Sequence, residues 1–278
     1  MAHIPRDHHY TPKAYLKAWA DPEGQVATFR WLTTGKFEAK LRAYSAICYQ
    51  KDLYSHQNFS PSIEEAQFFE SKILSRVDSD GIVIRDRILH GEIPTDFHER
   101  QMWIRFMISF SFRHPMKMHE LRQKARQLSR EIILPEQRSD RYLGVVYGSE
   151  DHAEDILFGA LAKMLDSEIV GSLMQKMHWG CREIDTSSCS LLTSDAPLAS
   201  LHLRERHGAA FMALAPNKLF VACNDKASLE MVLNEGSENL CRLINIDVVN
   251  AARLYVVCRD LSLREFVSDH LHRQLPTY

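Results

Sequence analysis

The chain has 278 residues, of which 45% are hydrophobic and 25% charged, with a formal net charge of −2. That length lies within the single-domain range, and the balance is the ordinary one of a soluble globular protein able to bury a sizeable core without disulfide or metal staples. The near-neutral charge, with a pI of about 6.7, argues against a protein that holds nucleic acid through a large basic surface.

In chain order, three zones are expected within one domain, 1–278. The first, 1–59, opens on MAHIPRDHHY, which has no apolar run and so reads as no secretory signal. A short helix near Lys13 to Trp19 is followed by the turn Asp21 to Gly24. Gln25 to Leu32 reads as a strand, "TTGK" as a hairpin turn, and "FEAKLRAY" as the returning strand.

The second zone, 60–177, is helical. Ser60 and Pro61 form an N-cap and first-position pair, with Glu64 and Glu65 in the first turn. Ile63, Ala66, Ile73, Leu74 and Val77 make a stripe at helical spacing, and a second helix reaches about His90. Phe97 to Arg113 is apolar on nearly every side and reads as a central buried helix, ended or kinked by Pro115. Its most apolar window, Met102 to Phe112, is broken by Arg105, and no stretch reaches the roughly 18 apolar residues of a membrane span. Arg113, Lys117, Arg122, Lys124, Arg126 and Arg130 face one acid, Glu120, a pattern read here as a solvated helix face. The last helix of this zone covers about Ala153 to Met177.

The third zone, 178–278, mixes types. His178 to Asp185, Cys189 to Ser194, "AAFMALAP" and "KLFVACND" read as short strands. Helices are expected at about Ala227 to Asn234, Glu238 to Cys258 and Leu263 to His272. The architecture expected is α+β: a mostly helical middle, with strands from the N- and C-terminal zones forming a mixed or antiparallel sheet. Two domains divided near Met177 are the alternative. The six cysteines form no C-x-x-C pair, which argues against a zinc ribbon or thioredoxin motif and suggests a reducing compartment. A cytoplasmic protein without a membrane partner is therefore expected.

Glu70 is the most informative position. It lies four after Ala66, four before Leu74 and seven before Val77, which places its carboxylate inside the apolar stripe. A buried carboxylate must be paired, metal-bound or neutral. Glu70 therefore reads either as half of a structural ion pair or as a general acid/base or metal ligand. Arg113, two turns beyond Arg105 on nearly the same face, either pairs with a carboxylate such as Glu70 or holds an anionic group. Asp195 ends the apolar strand "LLTS" before an X-Pro turn, and it either aims at a site or caps that turn. His8 and His9 are adjacent, so in an extended lead-in they point opposite ways. His9 is expected inward and His8 outward, with a local helix cap as the plain alternative. No G-x-S-x-G surrounds Ser194, and no H-E-x-x-H, P-loop or G-x-G-x-x-G is present.

The same segments carry a resemblance. His8, His9, Tyr10, Pro12, Tyr15 and Leu16 spell a His-His-Tyr-x-Pro-x-x-Tyr-Leu opening. A glycine-turn hairpin, Asp52-Leu53-Tyr54 and the helix from Ile63 to Glu70 follow. Arg113-His114-Pro115 stands where Arg-Thr-Pro is usual, and Thr193 to Pro197 gives Thr-Ser-Asp-x-Pro. "ALAP" and Asn245 or Asn250 to Arg253 match loosely. On these motifs the chain resembles the uncharacterised, mainly bacterial domain-of-unknown-function family 4238 over nearly its whole length. The resemblance implies an order of motifs, with polar segments from both ends of the chain meeting in one pocket.

Together these readings give an expectation. His9, Glu70 and Asp195 would converge as catalytic residues and as ligands of a divalent metal such as Mg or Mn. Arg113, Tyr10, Tyr15 and Ser194 would hold substrate. The reaction expected is hydrolysis of a phosphoester or nucleic-acid substrate. The alternatives are a non-catalytic module that binds a small anionic ligand or a protein partner, and a purely structural network of Glu70, Arg113 and Asp195.

Overall fold

A computed structural model describes residues 6–56, 66–131, 150–187 and 189–272. Ser60, Pro61, Ile63, Glu64 and Glu65, the expected start of the first long helix, lie outside the described residues. The N-terminal strand β1 (Asp7–His9) leads to helix α1 (Lys13–Leu16), which tightens into a 3₁₀ turn over Lys17–Trp19. The hairpin β2 (Gln25–Trp31) and β3 (Phe37–Ala43) stands where it is expected, with Trp31 opposite Phe37. Its tip closes through Leu32 N–H to Lys36 O, with Gly35 at φ +78°, a left-handed conformation that glycine adopts without strain. Strand β4 (Tyr49–Lys51) then returns to pair antiparallel with β1, His8 opposite Gln50.

The helical middle begins with a π-helical stretch, Phe69–Leu74, that runs into α2 (Ser75–Leu89). Helix α3 (Phe97–Arg113) starts where the Asp96 carboxylate accepts from the amides of His98 and Glu99, a standard N-cap. It ends at His114, whose extended backbone (ψ 139°) is the conformation imposed by Pro115. Pro115 then opens α4 (Pro115–Glu131). Helices α5 (Glu150–Leu165) and α6 (Glu168–Lys176) complete this part. Helices α2 and α3 approach so closely that a Cβ on Gly81 would lie 2.3 Å from the Phe106 ring.

The third zone contributes β5 (His178–Glu183), β6 (Thr193–Ser194), β7 (Leu198–Leu201), β8 (Ala209–Ala215) and β9 (Lys218–Cys223). Helices α7 (Lys226–Asn234) and α8 (Ser237–Ala251), strand β10 (Val256–Cys258) and helix α9 (Arg264–His270) follow. The helix expected from Glu238 to Cys258 therefore stops at Ala251. Its last apolar residues, Val256 to Cys258, form instead the strand that joins the two ends of the chain. An isolated apolar triplet does not distinguish helix from strand by period.

Two four-stranded sheets result, ordered β3-β2-β10-β6 and β5-β9-β8-β7, with antiparallel pairs throughout. The first combines the N-terminal hairpin with C-terminal strands, so the fold is α+β as expected. One hydrophobic core runs through all three zones. Trp103 stacks on Phe106 and meets Phe220 edge-on, and Tyr15 packs against Phe106 and Phe110. The central helix thus touches both a C-terminal strand and the N-terminal motif. Among the described residues no helix is long and apolar enough to cross a membrane.

Candidate functional site

The polar motifs gather at the junction between α3 and α4, in two groups rather than one. The split occurs between neighbours in the chain. Arg113 turns to α2, where its Nη2 lies 2.6 Å from Asp78 Oδ1, while His114 turns to Asp195, with Nε2 3.3 Å from Oδ2.

The first group is built around Arg113, which is 1% exposed. Tyr54, fully buried, donates its hydroxyl to the Arg113 carbonyl at 2.7 Å. Glu70 is half-buried on the π-helical stretch, a rare geometry that often marks functional positions. Burial pushes its carboxyl up to about 7, Arg113 pulls it down and the nearby Asp78 pushes it up again. Its buried Oε2 makes no hydrogen bond, and neither do Nε and Nη1 of Arg113. A carboxyl that titrates near neutrality thus faces a guanidinium whose own ion pair is with Asp78. The expected pairing of Arg113 with a carboxylate is present, but Asp78 is the direct partner. Asp78 lies eight residues beyond Glu70, a spacing that brings the two onto one side of the helix.

His8 closes this group, and here the expectation is reversed. His8 is the inward histidine (0% exposed), and its Nδ1 accepts from the Tyr54 amide at 3.0 Å. With Nδ1 accepting, the neutral ring carries its proton on Nε2, 3.4 Å from Gln67 Oε1. The ring stacks on Tyr54, with centroids 5.7 Å apart. His9 faces the other side of β1, where its Nε2 meets the Ser45 carbonyl at 3.1 Å and its ring packs on Tyr49. The two rings alternate across the strand as expected, but in the opposite phase, because pairing with β4 rather than the helix start decides which face is covered.

The second group is built around Asp195, whose side chain is fully buried. Its carboxylate accepts from three consecutive amides, Arg253 (2.8 Å), Leu254 (2.7 Å) and Tyr255 (3.1 Å). It thereby fastens the connection from α8 to β10. His114 covers it, and Tyr10 meets the His114 ring edge-on at 5.2 Å. Ser194 Oγ accepts from the Ala196 amide, a local turn contact. Tyr15 Oη contacts Thr193 Oγ1 and donates to Ala213 O, at 2.8 and 2.7 Å. Tyr10, Tyr15 and Ser194, expected to hold substrate, are all buried structural contacts.

His9, Glu70 and Asp195 therefore hold three different sets of partners. Among the described residues no group of three or more His, Cys, Asp or Glu side chains is arranged to hold a metal ion, so the expected metal triad does not form. Arg105 also departs from expectation. Its side chain is 39% exposed and pairs with Asp166 at 2.6 Å, far less covered than Arg113. In the basic run, Lys117 and Lys124 bracket Glu120 on the solvated face, as read. Arg122 does not: it is buried, pairs with Glu154 at 3.0 Å and donates to the carbonyls of Leu53 and Ser55. It thus holds the Tyr54 segment in place. A cleft of about 680 Å³ lined by Gln101, Met102, Arg105, Asp166 and Gln175, among others, contains none of the expected site residues.

The profile of the DUF4238 family, described as a protein of unknown function, matches residues 7–262, and the chain belongs to that family. No curated protein and no solved structure matches.

Proposed function

We propose that this member of the DUF4238 family is a hydrolase that acts on an anionic, phosphoester-type substrate, with Glu70 as its acid–base group. One observation carries the reading: Glu70 presents an unpartnered carboxylate oxygen beside Arg113, and its carboxyl titrates near 7. A proton-transfer group works best when its pKa lies near the working pH, and perturbed carboxyls of this kind cluster at functional sites. Glu70 keeps part of its surface open to solvent, and a substrate would approach it from that side. Arg113, itself buried, supplies a fixed positive charge that acts on the Glu70 carboxyl. Asp78 and Tyr54 hold that guanidinium and its backbone in place.

The fixed charge of Arg113 favours a second reading, in which an anionic ligand is bound without turnover. Hydrolysis of chromogenic phosphomonoesters and phosphodiesters by wild type and Glu70→Gln, from pH 5 to 9, separates the two. Acid–base chemistry at Glu70 requires a rate limb near pH 7 and a loss of about 10²–10⁴-fold in the variant, with its melting temperature retained. Equal rates in the two proteins overturn the catalytic assignment. Anion binding by both without hydrolysis leaves the binding module.

A further inference from the structure

The connection between β5 and β6 is strapped to helix α8, most firmly by Asn245. Asn245 Oδ1 accepts from the Leu192 amide at 2.8 Å, and its Nδ2 donates to the Ser190 carbonyl at 2.9 Å. The same Nδ2 lies 3.6 Å from Cys241 Sγ, one turn earlier on the helix. Cys189, next to Ser190, is thereby held over the turn from Ser237 to Cys241. Its Sγ lies 3.5 Å from the Ser237 carbonyl and 3.6 Å from that of Asp185. The Cys189 and Cys241 thiols are thus neighbours, and the Cys189 thiol pushes that of Cys241 up. Neither is in a disulfide; Cys241 is buried and Cys189 half-buried.

We propose that Cys189 and Cys241 are a redox modification site: a pair that closes to a disulfide under a peroxide and reopens under a small thiol. The half-exposed Cys189 meets the oxidant first. Its thiolate attacks a peroxide oxygen, the O–O bond breaks, and Cys189 becomes a sulfenic acid as the other oxygen leaves as water. Cys241 then attacks the Cys189 sulfur, the S–O bond breaks, and a second water carries away the remaining oxygen. Two thiols are oxidised and one peroxide is reduced to two waters. A thiol reductant reverses the bond by exchange through a mixed disulfide.

Burial, together with the neighbouring Cys189 thiol, holds the Cys241 thiol well above its ordinary range. Cys241 is therefore a poor first target but a well-placed resolving group, and the influence of the Cys189 thiol is lifted once Cys189 is oxidised. Cys258 also acts on Cys241 electrostatically, but it is buried within strand β10, whereas Cys189 is half-buried. Cys189 is thus the favoured partner. The new bond would tie the segment leading to Thr193, Ser194 and Asp195 covalently to α8. This proposal rests on no part of the Glu70 reading.

The test is intact-mass measurement of the native full chain after hydrogen peroxide, followed by non-reducing peptide mapping. The pair requires a loss of about 2 Da, one hydrogen from each thiol, a linked Cys189–Cys241 peptide and full reversal by dithiothreitol. Iodoacetamide should label Cys189 before oxidation and not after. Cys189→Ser, which alters only a half-buried side chain, must abolish the mass loss; this arm stands even if Cys241→Ser does not fold. Gains in mass without the linked peptide, or the same loss persisting in Cys189→Ser, overturn the proposal.

Discussion

His114 Nε2 lies 3.3 Å from Asp195 Oδ2, and the carboxylate it covers is the acceptor for three successive backbone amides at residues 253 to 255. This contact joins the helical middle to the connection that feeds the C-terminal strand into the N-terminal sheet. Asp195→Ala removes the shared acceptor and leaves those amides without it. Since each unsatisfied buried group costs about 1–3 kcal/mol, a destabilisation of about 3–5 kcal/mol is expected. His114→Ala leaves the amide contacts intact and should cost less. Urea unfolding of both variants checks the order, and a larger effect for His114→Ala would contradict the anchor role of Asp195.

Glu70 makes stability depend on pH in a definite direction. Its folded pKa, about 7, lies above the ordinary glutamate value of 4.5. Between these values the folded state holds more protons than the unfolded state, so stability falls as pH rises. The contribution is fully present below about 4.5 and lost above about 7. The full shift corresponds to roughly 3 kcal/mol. Glu70→Gln should flatten the profile between pH 5 and 8 in denaturant unfolding. A wild-type profile that rises across this window would show that Glu70 is instead held ionised.

The reversed histidines give a direct comparison. His8→Ala deletes a buried ring and the acceptor of the Tyr54 amide, so a loss of about 2–4 kcal/mol is expected. His9 meets the Ser45 carbonyl and the Tyr49 ring on the less covered face of β1, and His9→Ala should cost about 1 kcal/mol or less. Thermal melts of the two variants decide it, and similar effects would argue that both faces of β1 bear equal load.

Two glycines in helices should respond oppositely to alanine. At Gly81 the new Cβ would lie 2.3–2.5 Å from Phe106 side-chain atoms. The helix-propensity gain of about 1 kcal/mol competes with an overpacking cost of about 1–3 kcal/mol or more, and at so short a distance overpacking wins. At exposed Gly159 nothing lies within 4 Å, so alanine should stabilise by about 0.4–1 kcal/mol. Stabilisation at both positions would mean that α2 and α3 separate more readily than their close approach implies.

Local signals located the elements well where period and punctuation agreed. The hairpin from Gln25, the central helix from Phe97 to Arg113 and the break at Pro115 all stand where alternation, helical spacing and proline placed them. Short strands were harder. Asp7–His9, Tyr49–Lys51, Leu198–Leu201 and Val256–Cys258 are too brief to show a period and exist because a partner strand accepts their backbone groups. In the site, Glu70 and Arg113 were legible as charges on apolar faces. Asp78 carried the same signal, adjacent to Val77 in the stripe, and Arg122 was hidden inside a run that otherwise faces solvent.

The sequence by itself determined the α+β class, the place of Glu70 in an apolar stripe and of Arg113 at the end of an apolar helix, and the opposite orientation of two adjacent histidines. Each follows from a fixed repeat: 3.6 residues per helical turn and 2 per strand. Only the tertiary structure decided which histidine turns inward, that Arg113 takes Asp78 rather than Glu70, and that Asp195 binds backbone amides rather than a metal. Those choices depend on strand register and on which elements approach one another. They join residues as distant as Asp195 and Tyr255 or Tyr54 and Arg113, and no local repeat encodes such a pairing.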